Sequence, residues 1–162
     1  MNAMRPAPEY DFSTLQDEIA GYRTLLALLH TEQDALRRAD ADAIPGIVAT
    51  KQREVQLLSG FASGRARALR HADLEATRAA AEALLVRQGA DPAAVGAAWS
   101  ELEVLVNDAQ RLNAINGILI EAQQSYFSRA LAALSRAAGT PAGYGADGRP
   151  QFGPGSRILA AI

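Results

Sequence analysis

The fold is decided by residues 92–138, PAAVGAAWSELEVLVNDAQRLNAINGILIEAQQSYFSRALAALSRAA. Val95, Trp99, Leu102, Val106, Ala109, Asn113, Asn116, Ile120, Phe127, Ala130 and Leu134 fall along it at steps of three, four and seven. That period belongs to one stripe of an α-helix, and no alternation of period two persists anywhere in the chain. Asp91-Pro92 supplies a carboxylate cap and a first-turn proline, and Gly139 closes the pattern. At 1.5 Å per residue such a helix is roughly 70 Å long, which predicts a rod-like element.

Two further helices lead up to it. Phe12, Leu15, Ile19, Tyr22, Leu26, Leu29, Gln33 and Leu36 keep the same rhythm, with Leu25 and Leu28 widening the face. Ser13 and Gln16 suit a capping box, so a helix is expected over 12–39. Asp40-Ala41-Asp42-Ala43 reads as a turn and a cap, and Pro45 fits only a first turn. A second helix over about 43–70 follows, with its seam at Ile44, Val48, Lys51, Val55, Leu58, Ala62, Arg65 and Leu69. The connection is so short that the two must run antiparallel. Residues 71–89 predict a short Ala-rich helix ended by Gly89 as a left-handed cap.

The expected architecture is all-α, an elongated antiparallel helical bundle or coiled coil of three to four helices with a long C-terminal helix and a flexible tail. Residues 1–10, with Pro6 and Pro8, read as a disordered lead-in, 11–138 as a single helical-bundle domain, and 139–162 as a Gly/Pro-rich tail ending in Ile158, Leu159 and Ile162.

Composition narrows the function. A formal charge of -2 gives no reason to expect nucleic acid or an anionic membrane as partner. No stretch approaches the roughly 18 to 20 apolar residues of a membrane span, and residues 1–8 have no signal-type apolar core. With no cysteine, disulfides and thiolate metal sites are excluded, and the expected location is a reducing cytoplasm. His30 and His71 lack a second ligand at metal spacing, so neither metal nor cofactor is expected. Glu18 with Glu32, and Glu101 with Glu103, read as solvated helix faces, and Gly60 with Gly64 as a close helix contact. No catalytic constellation emerges, and the chain reads as a binding protein, not an enzyme.

Polar residues interrupt two seams. Lys51 and Arg65 break the second helix, and their long stems predict pairing with carboxylates on a neighbouring helix. Asn113 and Asn116 break the last one, where a buried Asn fixes register and an outward one lines an open groove. Beyond them Tyr126, Phe127, Leu131 and Leu134 make an apolar stripe.

These residues carry a resemblance. The run Leu25-Leu26-x-Leu28-Leu29-x-x-Glu32-x-x-x-Leu36 precedes the acidic turn Asp40–Asp42 and then Ile47, Lys51, Leu57-Leu58 and Arg65. Next come Asn113-x-x-Asn116-Gly117-x-Leu119-Ile120, Tyr144-Gly145-x-x-Gly148 and the closing Gly155-Ser156-Arg157-Ile158-Leu159. In this order the chain resembles the FlgN-type flagellar type III export chaperones from about residue 15 onward. The resemblance implies a cytoplasmic protein that binds C-terminal helical segments of hook–filament junction proteins, prevents their premature assembly and delivers them to the membrane export gate. It places cargo on Ile118, Leu119, Ala122, Tyr126, Phe127, Leu131 and Leu134, with Asn113 and Asn116, and gate docking on Tyr144. A cargo-free form would self-associate through the same stripe. The competing expectation is a structural coiled coil or adaptor with no export role.

Overall fold

The computed structural model describes residues 10–137; the lead-in before them, Tyr144 and the tail 139–162 lie outside the described residues. Four helices follow one another, α1 Phe12–Arg37, α2 Ile44–His71, α3 Arg78–Arg87 and α4 Pro92–Ala137, with no strand among the described residues. The chain divides into two compact units between Gly117 and Ile118.

In the first unit, α1 and α2 are antiparallel, because Glu18 pairs with Arg65 and Glu32 with Lys51. α4 runs parallel to α1, since Arg23 meets Glu101 near one end and the Asn116 amide donates to the Leu29 carbonyl at 2.9 Å farther along. α3 lies antiparallel to α4, with Arg78 bonded to Glu103 at 2.6 Å and Gln88, just past its end, donating to the Tyr10 carbonyl at 3.2 Å. The larger core gathers Leu15 and Ile19, Leu69, Leu85, and Val95 with Trp99 from all four helices. A second cluster joins Leu25 and Leu29 to Leu58, Ala109 and Leu112. Each fully buried side chain of this size contributes about 1.5–3 kcal/mol by leaving water.

The helix ends show the local chemistry. α1 is capped by Asp11, not by Ser13: its carboxylate accepts from the Thr14 N–H at 2.8 Å, and the Thr14 hydroxyl accepts from the Asp11 N–H. The Thr14 N–H holds the Asp11 carboxyl below the usual carboxylate range. Ala43 is the N-cap of α2 without a side-chain cap bond, while Pro45 sits in the first turn. Thr77 caps α3 and Asp91 accepts from Ala94 at the start of α4.

Three helices end on one motif. Beyond α1 the Asp40 N–H reaches the Ala35 carbonyl, beyond α2 Leu74 reaches Leu69, and beyond α3 Ala90 reaches Leu85. This six-to-one bond requires a left-handed residue just before its donor. Gly89 takes that conformation at φ +98, but Ala39 at φ 53 and Asp73 at φ 56 take it with a Cβ.

One close helix crossing rests on Gly21 and not on the glycines of α2. A Cβ at Gly21 would lie 2.9 Å from Leu58 Cδ2, whereas Gly60 and Gly64 have nothing within 4 Å. The expectation of tight packing at Gly60 and Gly64 is therefore corrected: both face away from the other helices.

The cap geometry predicts opposite effects in a urea titration. Ala39→Gly is expected to raise stability by up to about 1 kcal/mol, and Gly89→Ala to lower it by about 1 kcal/mol. Equal and same-signed effects would contradict the strain reading.

Candidate functional site

Two carboxylates of α1 form the polar framework of the first unit. Glu18 is 3% and Glu32 1% exposed, so neither is the solvated face that their spacing suggested. A buried carboxylate must find a cation or hydrogen-bond donors, because losing water is costly. Glu18 is met by Arg65, whose guanidinium carbon also lies 5.1 Å from the Trp99 ring centroid and 5.9 Å from that of Tyr10. Glu32 takes Lys51 Nζ at 2.6 Å and the Asn116 amide at 2.9 Å. The seam interruptions Lys51 and Arg65 thus pair across helices, as their long stems predicted.

Burial dominates the ionisation here. It raises the Glu18 carboxyl above its ordinary value, against the pull of Arg65, and pushes the Tyr10 hydroxyl up to about 12. Tyr22 is raised by its own burial, with Glu18 adding to the effect. Glu101 and Glu103 remain more open and pair with Arg23 and Arg78.

The residues expected to hold cargo are sorted by exposure. Asn116 is 1% exposed and bonded within the bundle, so it is withdrawn from a partner and acts as a register residue. Asn113 is exposed and lines a groove with Leu29, Val55, Val106 and Gln110. The two asparagines sit three residues apart, and the buried line runs through Leu112 instead of Asn113.

The second unit, taken by itself, presents exposed apolar residues along the C-terminal part of α4. Ile118 is 66%, Tyr126 69%, Phe127 56%, Leu131 65% and Leu134 66% exposed. Ala122 is exposed as well, and Leu119 is half-buried. Tyr126 and Phe127 stack edge-to-face, with ring centroids 5.9 Å apart at 71°. Five large apolar side chains open to water on about five turns of helix exceed the scatter normal for a surface. Tyr144 lies outside the described residues.

Among the described residues no group of three or more His, Cys, Asp or Glu could hold a metal ion, and no helix is long and apolar enough to cross a membrane. His30 and His71 are exposed.

A helical chain with an inward-pinned bundle and an open apolar helix face has the parts of a protein-binding module. The family model described as FlgN protein matches residues 4–151. The chain belongs to the FlgN family. FlgN proteins are flagellar export chaperones, are not known as enzymes, and generally bind flagellar hook-associated proteins. No curated protein and no solved structure matches the chain.

The Glu18 site yields a pH signature. Arg65→Met leaves the carboxylate buried without its cation and is expected to cost about 3 kcal/mol. With the opposing charge gone, the folded-state pKa of Glu18 rises further above its unfolded value. The unfolded chain then holds fewer protons, so stability falls as pH rises from the ordinary Glu value, about 4.3, towards neutral. Urea midpoints at both ends of that window should diverge more for the variant than for the parent; parallel profiles would contradict it.

Proposed function

We propose that this FlgN protein acts in the cytoplasm and holds hook–filament junction proteins by their C-terminal helical segments before export. The observation carrying this reading is the open stripe Ile118, Tyr126, Phe127, Leu131 and Leu134, more than half exposed at every position. An amphipathic helix laid along it would cover both its own apolar face and the stripe. Ala122 leaves room for a close approach, and the edge-to-face Tyr126–Phe127 pair offers a broad aromatic anchor. Masking such segments keeps them from assembling early.

Delivery requires release, which favours moderate affinity. The stretch supports that, because Gln123, Gln124 and Ser125 interrupt the apolar residues. Asn113, exposed in the bundle groove, is proposed as a polar cargo contact, and Tyr144 as the contact to the membrane export gate. Without cargo, the same stripe is proposed to associate with a second copy.

The test is calorimetric titration of the full-length protein with C-terminal segments of the same organism's hook–filament junction proteins. Saturable 1:1 binding is expected, weakened by about a hundredfold in Tyr126→Asp/Leu131→Asp, or about 2.7 kcal/mol. Both positions are exposed, so the variant should retain its helical circular dichroism. Absence of binding by the parent would favour a structural adaptor, and unchanged binding by the variant would move cargo off the stripe.

A further inference from the structure

Helix α2 has a second face that the bundle does not use. Of its 28 residues only Leu58 and Leu69 are buried, and with Lys51 and Arg65 they form the side turned to α1. On the opposite side Arg53, Gln56, Gly60, Ser63, Arg67 and Arg70 repeat at steps of three and four, and all are exposed. They trace a heptad stripe of their own, lying outward.

The charge on this stripe has one sign. α2 carries Lys51, Arg53, Arg65, Arg67 and Arg70 against a single acid, Glu54. Lys51 and Arg65 are neutralised by Glu32 and Glu18, and Glu54 approaches Gly21 on the α1 side. Arg53, Arg67 and Arg70 form no ion pair among the described residues; Arg53 touches only the Thr50 hydroxyl. A chain of net charge -2 thus displays three unneutralised guanidinium groups along one helix face.

The shape of the stripe is equally specific. Between its charged ends lie the small residues Gly60, Ser63 and Gly64, and nothing stands within 4 Å of either glycine's Cβ position. Leu57 flanks them at 61% exposure. A backbone passing over such a notch can reach the short end of helix–helix spacings, about 8 Å.

We propose that the outward face of α2 docks an acidic amphipathic helix of a partner protein, whose small and apolar side chains seat over Gly60 and Gly64 beside Leu57 while its carboxylates reach Arg53, Arg67 and Arg70. The occupant is acidic because the charges on the face are all basic. It is helical because the stripe runs with heptad spacing, and Arg53 and Arg67 stand about 21 Å apart, or about four turns. An anionic bilayer would satisfy the charge, but the face holds one large apolar residue and no aromatic to enter the headgroup layer. This site is separate in sequence from the stripe at 118–134 and does not depend on what that stripe binds.

The probe is a synthetic helical peptide of about 20 residues built from Glu, Ala and Leu, with its Lys-for-Glu counterpart as control. Fluorescence anisotropy against the full-length protein should show saturable binding of the acidic peptide alone. Arg53→Glu/Arg67→Glu/Arg70→Glu should weaken it at least about tenfold, and so should Gly60→Leu/Gly64→Leu, which leaves every charge in place. Both variants change outward helix positions, and Leu is the better helix former, so they should fold with parental circular dichroism. Vesicles with about 30% phosphatidylglycerol should not bind. No binding of the acidic peptide would overturn the proposal. So would binding indifferent to the leucines, which signals charge attraction alone, or vesicle binding that the arginine variant abolishes.

Discussion

Two buried carboxylates with one spacing set the geometry of the first unit. Glu18 and Glu32 stand fourteen residues apart on α1, and their partners Arg65 and Lys51 stand fourteen apart on α2. Fourteen is two heptads, so both pairs close in a single antiparallel register. Slipping α2 by one heptad in either direction would set Glu32 against Ile44 or Leu58, with a charge buried and unpaired. Such an unpaired charge costs several kcal/mol, while the matched pair adds little over an apolar contact of similar size. The pairs therefore select one arrangement of Leu-rich helices that would otherwise pack in several.

The same two sites hold α4. Arg65 stacks on Trp99 while it binds Glu18, and Asn116 bonds Glu32 while Lys51 holds the other carboxylate oxygen. One residue after Asn116, the first unit ends. Polar pins lie inside the bundle up to Asn116, and open apolar residues begin at Ile118 on the same helix. A chaperone gains from that division, because the part that must stay folded is specified by unique charge pairs. On the proposed reading, the part that binds and lets go is the one that keeps its apolar surface in water.

Much of this was legible from residue order. Asp91-Pro92 and Gly89 marked their helix boundaries, since each has few conformations available, and Lys51 and Arg65 announced carboxylate partners by breaking an apolar seam. The carboxylates themselves were hidden. Glu18 and Glu32 stand beside the seam residues Ile19 and Gln33, and the cations that meet them are 47 and 19 residues away. Asn113 and Asn116 both fit the heptad count, and the rotation of α4 that turns Asn116 inward is fixed by packing on α1. The end of α1 was legible to within two residues, but its left-handed residue was not, because Ala39, not glycine, takes that conformation. Gly21 gave no signal at all, as a close approach needs a neighbour from another helix.

Family membership gives the chain its general role, and the distribution of exposure suggests where that role is exercised. Hydrogen–deuterium exchange on the full-length protein, with and without a C-terminal segment of a hook-associated protein, addresses this most directly. New protection confined to residues 113–137, with α1 and α2 unchanged, is the predicted result. Protection gained along α1 and α2, with none at 118–137, would contradict the account.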